Sequence, residues 1–218
     1  MTTVDALTHV HQPPRDDDPL TLLLLHGTGA TERDLLPLAD LLAPAARVLS
    51  PRGTVSEQGM PRWFRRHAEG VFDLDDLVLR THELADWVEA AVESHGADPT
   101  RVVAAGFSNG ANIAGSTLLL RPGTLRAALL FAPMLPLEPE ELPDLSHTGV
   151  FLSAGTADPI CPPAQVERLA ELLTDAGASV ELDWHPGGHQ LDRGQAEAGR
   201  AWLDRWRDAT ATGVGGVA

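Results

Sequence analysis

Ser108 carries the strongest signal for covalent chemistry in this chain. It is the central residue of Gly106-Phe-Ser-Asn-Gly110, which matches the G-x-S-x-G pattern of a nucleophile elbow. There the serine sits on a tight turn between a strand and a helix, and the glycines allow close backbone contact. The apolar residues 101–105 predict the strand, and the Ala- and Leu-rich residues 109–120 predict the helix. This context favours a nucleophilic serine over an ordinary loop.

A serine nucleophile needs a general base, which is usually a histidine. Three histidines follow Ser108 in the chain, at positions 147, 185 and 189. His189 lies in a Gly-rich loop directly after the alternating residues 179–184, which predict a late strand. His185 is expected to end that strand, and His147 to lie in a polar loop. We therefore predict His189 as the base.

An acid must orient this histidine, and in α/β-hydrolases it lies between the serine and the histidine in sequence. Residues 149–155 predict a buried strand, and Asp158 follows it in a loop stiffened by Pro159. Asp144 is the alternative acid, but its acidic and polar neighbours favour a solvated loop. We therefore predict Asp158 as the acid.

An oxyanion hole requires two backbone N–H groups, one after the nucleophile and one from an early loop. The apolar residues 20–25 predict a strand that ends in His26-Gly-Thr-Gly29. This arrangement predicts the amides of Thr28 and Asn109 as the two donors. We expect His26 to pack and hydrogen-bond beneath the loop.

Six segments resemble the phospholipase/carboxylesterase branch of the α/β-hydrolases, which includes acyl-protein thioesterases and bacterial carboxylesterases. They are LLLLHGTGATERDLLPLA, VLSPRG, GMPRWFRR, AAGFSNGANIA, GTADPICPP and GGHQL. Within that branch, the chain is most similar to small bacterial hydrolases of hydroquinone-stress gene clusters. The resemblance spans about residues 18–206 and implies the triad Ser108, Asp158 and His189. Related dienelactone hydrolases carry Cys at the nucleophile position, where this chain has Ser108.

The resemblance also places the MPRWFRR segment beside the acyl pocket. It lies in residues 51–72, a long connection without strong periodicity. Its large apolar side chains are predicted to contact the substrate: Met60, Trp63, Phe64 and Phe72. Its arginines at 52, 62, 65 and 66 either face the substrate or form ion pairs with Asp73, Asp75 and Asp76. The spacing does not decide between these two roles.

The coarse layout predicts an α/β fold, with a mainly parallel sheet, helices on both faces and no separate lid domain. Strands are predicted at 20–25, 46–50, 101–106, 126–132, 149–154 and 179–184, with a further strand at 7–11. Helices are predicted at 32–43, 75–95, 110–121, 163–177 and 194–208. We expect a polar leader over residues 1–17, a single domain over 18–210 and a flexible tail over 211–218.

Composition limits the partners. The 31 acidic and 16 basic residues give a net charge of −15, which argues against nucleic acid. The single Cys161 excludes an internal disulfide and a multi-Cys zinc site, and His9 and His11 lack further ligands nearby. No segment predicts a membrane span or a signal peptide, so we expect a cytoplasmic protein. A homodimer is left open.

The favoured interpretation is a serine esterase of the carboxylesterase/phospholipase type, acting on a small-molecule ester without metal or cofactor. A thioesterase acting on acyl-protein or acyl-coenzyme A would use the same groups. A non-catalytic module that binds a small molecule is the third hypothesis, and a complete Ser/Asp/His set argues against it.

Overall fold

The computed structural model describes residues 3–211. The strands are β1 (His9–Gln12), β2 (Thr21–Leu25), β3 (Arg47–Pro51), β4 (Val55–Glu57), β5 (Met60–Arg62), β6 (Arg66–Ala68), β7 (Val71–Phe72), β8 (Val102–Phe107), β9 (Ala127–Phe131), β10 (Gly149–Gly155) and β11 (Ser179–His185). The α-helices are α1 (Leu36–Leu42), α2 (Leu74–Ser94), α3 (Asn109–Leu120), α4 (Pro163–Asp175) and α5 (Arg193–Ala211). None of these helices has the length and apolar character needed to cross a membrane.

The central sheet has seven strands in the order β1-β3-β2-β8-β9-β10-β11. β1 runs antiparallel to β3, and the other neighbours are parallel. The inner strands are mostly apolar and buried because both faces of the sheet are covered. Helices α2, α3 and α4 pack on one face, and α1 and α5 on the other. The predicted α/β-hydrolase fold is confirmed, and residues 3–211 contain no separate lid domain.

The six predicted core strands are found within one or two residues of their expected limits. The helix predicted at 32–43 is shorter, because α1 begins only at Leu36 and the preceding residues form turns. Pro37 lies in the first turn of α1. Proline lacks the N–H that an interior helical position would donate, so it fits only near a helix start.

Within the predicted polar leader of residues 1–17, residues 9–12 form β1 at the edge of the sheet. This strand begins two residues later and ends one residue later than the strand predicted at 7–11. The indole N–H of Trp87 in α2 also donates to the carbonyl oxygen of Val4 at 2.8 Å. The predicted tail lies outside the described residues, except for Ala211 at the end of α5.

The long connection between β3 and α2 contains two short hairpins, β4–β5 and β6–β7. Gln58 and Gly59 turn the first hairpin with φ values of 51° and 84°, the left-handed conformations of a type I′ turn. Strands of two or three residues are too short for an alternating pattern to be visible in sequence. The first hairpin and the segment after it contact the loops at the carboxyl ends of the sheet strands, where the candidate site lies.

Candidate active site

Ser108 occupies the turn between β8 and α3 with φ 52° and ψ −117°, a strained conformation for a residue with a side chain. The glycines on either side make this turn possible. A Cβ on Gly106 would lie 2.5 Å from the carbonyl oxygen of Gly110. A Cβ on Gly110 would lie 1.8 Å from the carbonyl oxygen of Leu25. Larger residues would therefore displace the turn from β2.

The three side chains predicted as a triad form one continuous chain of hydrogen bonds. Ser108 Oγ lies 2.9 Å from Nε2 of His189, and Nδ1 of His189 lies 2.8 Å from Oδ2 of Asp158. Each residue follows the carboxyl end of a different parallel strand: β8, β10 or β11. In this arrangement His189 can accept the serine proton while Asp158 orients the imidazole.

The carboxylate of Asp158 is fixed by its own loop. Its Oδ1 accepts hydrogen bonds from the backbone amides of Ile160 at 2.7 Å and Cys161 at 3.0 Å, which leaves Oδ2 directed at His189. The carboxylate is buried, with only 7% of the residue exposed. This loop also approaches the loop that carries His189, because Ala157 donates its amide to the carbonyl oxygen of Gly187.

Two further side chains contact His189. The ring of Phe107 packs against its imidazole, with ring centroids 5.2 Å apart. The Sγ of Cys161 lies 3.6 Å from Nδ1 and donates to the carbonyl oxygen of Ala132 at 3.2 Å. Burial and the nearby Asp158 charge raise the pKa of the Cys161 thiol, so it stays neutral. This contact of Phe107 with His189 was not predicted, because Phe107 occupies a variable position of the G-x-S-x-G motif.

The alternative acid, Asp144, lies at the opposite edge of the sheet, at the amino-terminal ends of the strands. It borders a surface pocket with His147, Arg101 and Arg126, which precede the strands rather than follow them. Its carboxylate accepts a hydrogen bond from the amide of Ser146. Neither Asp144 nor His147 is thus placed to act on Ser108.

The two predicted oxyanion-hole residues lie on different elements. Thr28 follows β2 in a turn closed by the Ala30 amide and the Gly27 carbonyl oxygen at 3.2 Å, with Gly29 at φ 81°. The amide of Thr28 takes no part in that turn hydrogen bond. Asn109 is the first residue of α3, where the N–H has no intrahelical acceptor. Both amides are thus suited to bind an oxyanion.

The β5 region supports the turn that contains Thr28. The amide of Gly29 donates to the carbonyl oxygen of Pro61 at 2.9 Å. A buried guanidinium, that of Arg62, donates to Thr28 Oγ1 at 3.0 Å, to the Phe64 carbonyl oxygen at 3.2 Å and to Glu57. The turn is therefore held from its outer side by both backbone and side chain.

His26 lies beneath the same turn, and its predicted packing role is confirmed. The amide of Gly53 donates to Nε2 at 3.0 Å, so Nδ1 carries the proton and donates to the carbonyl oxygen of Gly27 at 2.8 Å. Burial lowers the pKa of His26. The neutral ring is thus a structural link between two loops.

Two predicted substrate contacts need correction. Trp63 and Phe64 are 4% and 0% exposed and belong to the core, so in this structure neither offers a free face to a ligand. The indole N–H of Trp63 donates to the carbonyl oxygen of His26 at 2.9 Å. Met60 is 40% exposed beside Gly29, and the half-buried Phe72 packs edge-on against Phe64. Met60 and Phe72 therefore stay candidates for substrate contact.

The arginines of the hairpin region form ion pairs. Arg65 pairs with Asp73 and Asp76, while Arg66 pairs with Glu57 and Glu69. Arg62 also pairs with Glu57, and Arg52 pairs with Glu32. The structure thus favours the ion-pair role that the sequence left open, although most of the acidic partners differ from those predicted.

Comparisons with known proteins agree with this fold. The model of the dienelactone hydrolase family matches residues 63–211. The hydrolase MhqD of Bacillus subtilis (strain 168) is 46% identical over 196 residues, which cover 90% of this chain and 97% of MhqD. The crystal structure of the Bacillus cereus carboxylesterase has a TM-score of 0.90 and 46% identity, covering 92% of this chain and 95% of that one.

A more distant relative is acyl-protein thioesterase 1 of Cryptococcus neoformans, which is 25% identical over 230 residues, covering 91% of this chain and 97% of that protein. The family model covers more than half of this chain, and MhqD matches it over nearly its whole length. The chain therefore belongs to the dienelactone hydrolase family, within the α/β-hydrolases.

Proposed function

We propose that this protein is a serine hydrolase that cleaves carboxylic esters through an acyl-enzyme. The observation that carries the proposal is the hydrogen-bond chain from Ser108 Oγ through His189 to Asp158, with distances of 2.9 and 2.8 Å. Family membership and the resemblance to a carboxylesterase support the same reaction class.

In the proposed mechanism, Ser108 attacks the acyl carbonyl carbon while Nε2 of His189 takes the hydroxyl proton. Asp158 orients the imidazole and stabilises the imidazolium. The backbone amides of Thr28 and Asn109 bind the oxyanion of the tetrahedral intermediate. The alcohol leaves with the proton from His189. Water, deprotonated by the same histidine, then attacks the acyl-enzyme and releases the acid.

The proposed substrate is a small-molecule ester. Met60 is the apolar side chain that we expect to contact it, because it is exposed and lies beside Gly29 of the oxyanion turn. Each acyl methylene that gains burial should add at most about 0.8 kcal/mol to binding. We expect short to medium acyl chains to be preferred, since residues 3–211 provide no lid domain to cover a long one.

A thioesterase is the second candidate, and the similarity to acyl-protein thioesterase 1 favours considering it. The same serine, histidine and oxyanion donors would act on a thioester carbonyl. Matched oxygen and sulfur esters of one acyl group, assayed in parallel, separate the two activities. A ratio of kcat/KM that strongly favours the thioester would replace the esterase proposal.

The decisive experiment combines active-site labelling with a variant. A fluorophosphonate probe should label the wild-type protein and fail to label Ser108→Ala. In Ser108→Ala, kcat on a p-nitrophenyl ester should fall about 10⁴- to 10⁶-fold, by analogy with triad deletions. Ser146→Ala changes an exposed serine at the far edge of the sheet and serves as the control. An unlabelled, inactive wild-type protein would instead favour the non-catalytic binding module.

A further inference from the structure

Cys161 lies behind the candidate triad, in the loop that carries Asp158. Its Sγ is 3.6 Å from Nδ1 of His189, and that nitrogen is 2.8 Å from Oδ2 of Asp158. One sulfur, one imidazole nitrogen and one carboxylate oxygen therefore lie within 4.8 Å of one another. The proposed ester hydrolysis uses the histidine and the carboxylate but has no role for the thiol.

These three ligand types are the ones that zinc prefers. Zinc binds Cys sulfur at about 2.3 Å and His nitrogen or carboxylate oxygen at about 2.0–2.2 Å with tetrahedral geometry, so neighbouring ligand atoms lie about 3.3–3.6 Å apart. The sulfur and the nitrogen already have this separation. The nitrogen and the oxygen would move apart slightly once the metal replaces the proton between them.

The surroundings of the three groups support a metal site. The amides of Ile160 and Cys161 hold Oδ1 of Asp158, which fixes the carboxylate from the outer side as conserved second-shell contacts do in metal sites. Cys161 and Asp158 are 1% and 7% exposed. A thiolate and a carboxylate would balance the charge of a cation bound there, and a water molecule would complete the tetrahedral coordination.

We propose that Cys161, His189 and Asp158 form an inhibitory site for Zn²⁺. The inference rests on the proposed function, because the metal acts by removing the general base. Binding inhibits because it fixes the imidazole in the wrong tautomer. In the active form Nδ1 carries the proton, and Nε2 accepts from Ser108.

The proton balance of this step is simple and involves no redox change. Zn²⁺ takes the Nδ1 lone pair, and the imidazole proton moves from Nδ1 to Nε2. The Nε2–H group cannot accept the proton of Ser108. The thiol of Cys161 loses its proton to solvent as the Zn–S bond forms. One proton is thus released for each metal bound, and the imidazole stays neutral.

The selectivity of the site follows from its thiol. Zn²⁺ is among the metals that bind thiolate ligands strongly, and the buried Cys161 supplies the sulfur. Mg²⁺ and Ca²⁺ prefer oxygen ligands and should not inhibit. His9 and His11 are partly buried histidines on β1, away from this loop, and provide a control for unrelated zinc binding.

The test uses two readouts on the full-length protein. Co²⁺ is the spectroscopic probe, and wild type should show thiolate-to-cobalt charge-transfer absorption that Cys161→Ala lacks. Ser108→Ala should keep this absorption, because the serine is not a ligand. Zn²⁺ should inhibit ester hydrolysis by wild type and by His11→Gln. The inhibition of Cys161→Ala is measured against the rate of this variant without Zn²⁺. Half-inhibition of the variant should require at least about tenfold more Zn²⁺ than half-inhibition of wild type, because loss of a ligand should weaken metal binding at least as much as loss of a second-shell partner does.

The outcomes separate the two proposals. Equal Zn²⁺ sensitivity in wild type and Cys161→Ala, or no charge-transfer absorption in wild type, overturns the metal site. If the wild-type protein hydrolyses esters but shows no charge-transfer absorption, only the metal site is contradicted. If the wild-type protein shows the absorption but hydrolyses no ester, the metal site is supported and the proposed function is contradicted. Cys161→Val, which keeps an apolar side chain of similar volume, replaces Cys161→Ala if the latter fails to fold.

Discussion

The side-chain oxygen of Asn109 accepts a hydrogen bond from the backbone amide of Trp63 at 2.8 Å. The residue whose amide is proposed for the oxyanion hole is thereby tied to the segment after β5. The indole N–H of Trp63 also donates to the carbonyl oxygen of His26, next to the turn that contains Thr28. One buried tryptophan thus connects the two loops that we propose to supply the oxyanion donors.

Replacing Trp63 by Phe tests this connection. The variant keeps an aromatic ring but leaves the buried His26 carbonyl oxygen without its donor, which should cost about 1–3 kcal/mol of stability. We expect kcat/KM to fall by a similar factor for all acyl lengths, because Trp63 orients the oxyanion loops and does not contact the acyl chain. Urea unfolding and a series of p-nitrophenyl esters measure the two effects.

The control for this variant is Trp206→Phe, at the opposite edge of the sheet, which should leave the ester series unchanged. A Trp63→Phe protein of normal stability with a flattened dependence on chain length would contradict the structural role. It would restore Trp63 as a residue of the acyl cleft.

Arg62→Met should lower kcat with little change in KM. The variant removes the donor that holds Thr28 Oγ1, so the turn that offers the Thr28 amide loses support. Complete loss of an oxyanion donor costs about 10²- to 10³-fold in kcat, and a misplaced donor should cost less, about tenfold. Steady-state kinetics on one ester measure the split between kcat and KM.

Thr28→Val gives an independent check, because it removes only the hydroxyl that Arg62 contacts. It should reproduce part of the decrease in kcat. Arg65→Met is the matched control, since the Arg65 side chain is 62% exposed and pairs with Asp73 and Asp76. If Arg65→Met lowered kcat as much as Arg62→Met, the effect would come from the general loss of positive charge.

Asp158→Asn should cost about 10⁴-fold in kcat, by analogy with the same change in other triads. The amide group keeps the shape but can donate to Nδ1 of His189, which favours the wrong tautomer. Asp144→Asn, at the opposite edge of the sheet, should be nearly silent. The reverse ranking of these two variants in a kcat assay would show that the acid is misassigned.

His11 should make the folded protein less stable in acid. Its ring stacks on His95 at 3.7 Å and accepts a hydrogen bond from Arg47, while His9 lies on the same strand. Burial, then the charges of His95, Arg47 and His9, lower the pKa of His11 from 6.5 to about 4. The unfolded chain therefore takes up this proton first, so the stability present above pH 6.5 is lost as the pH falls towards 4.

The measurement is the melting temperature of wild type and His11→Gln between pH 7 and pH 4.5. Gln keeps an acceptor for Arg47 but does not titrate, so the melting temperature of the variant should fall less steeply. The melting temperature of the variant should still fall somewhat with decreasing pH, because burial also lowers the pKa of His95. Equal slopes in the two proteins would mean that His11 does not contribute to acid sensitivity.

The sequence predicted the positions of the candidate triad because each residue follows a strong local signal. Ser108, Asp158 and His189 each follow a segment with a clear strand pattern, and the carboxyl ends of parallel strands meet at one edge of a sheet. The α/β topology alone brings the three side chains together at that edge, so the prediction did not depend on contacts between residues distant in sequence. Asp158 was preferred to Asp144 on a local signal as well, because the acidic and polar neighbours of Asp144 favour a solvated loop.

The contacts of the segment after β5 could not be predicted in this way. Trp63 reads as an apolar residue in a loop, and its burial depends on the His26 carbonyl and the Asn109 side chain, which are distant in sequence. From sequence alone, the partly polar indole ring of Trp63 is equally compatible with a buried core and with a ligand cleft. The contact between Cys161 and His189 is likewise set by how two loops meet.

The close fit of Gly110 against Leu25 makes enzymatic activity a reporter of sheet assembly. Leu25 pairs with Gly106 across β2 and β8, and the backbone of Gly110 packs directly against Leu25, so the turn at Ser108 is supported by β2. A refolding intermediate with α3 formed but β2 still detached should therefore lack a competent nucleophile. Recovery of hydrolysis during refolding should track the docking of β2, later than the recovery of helical signal.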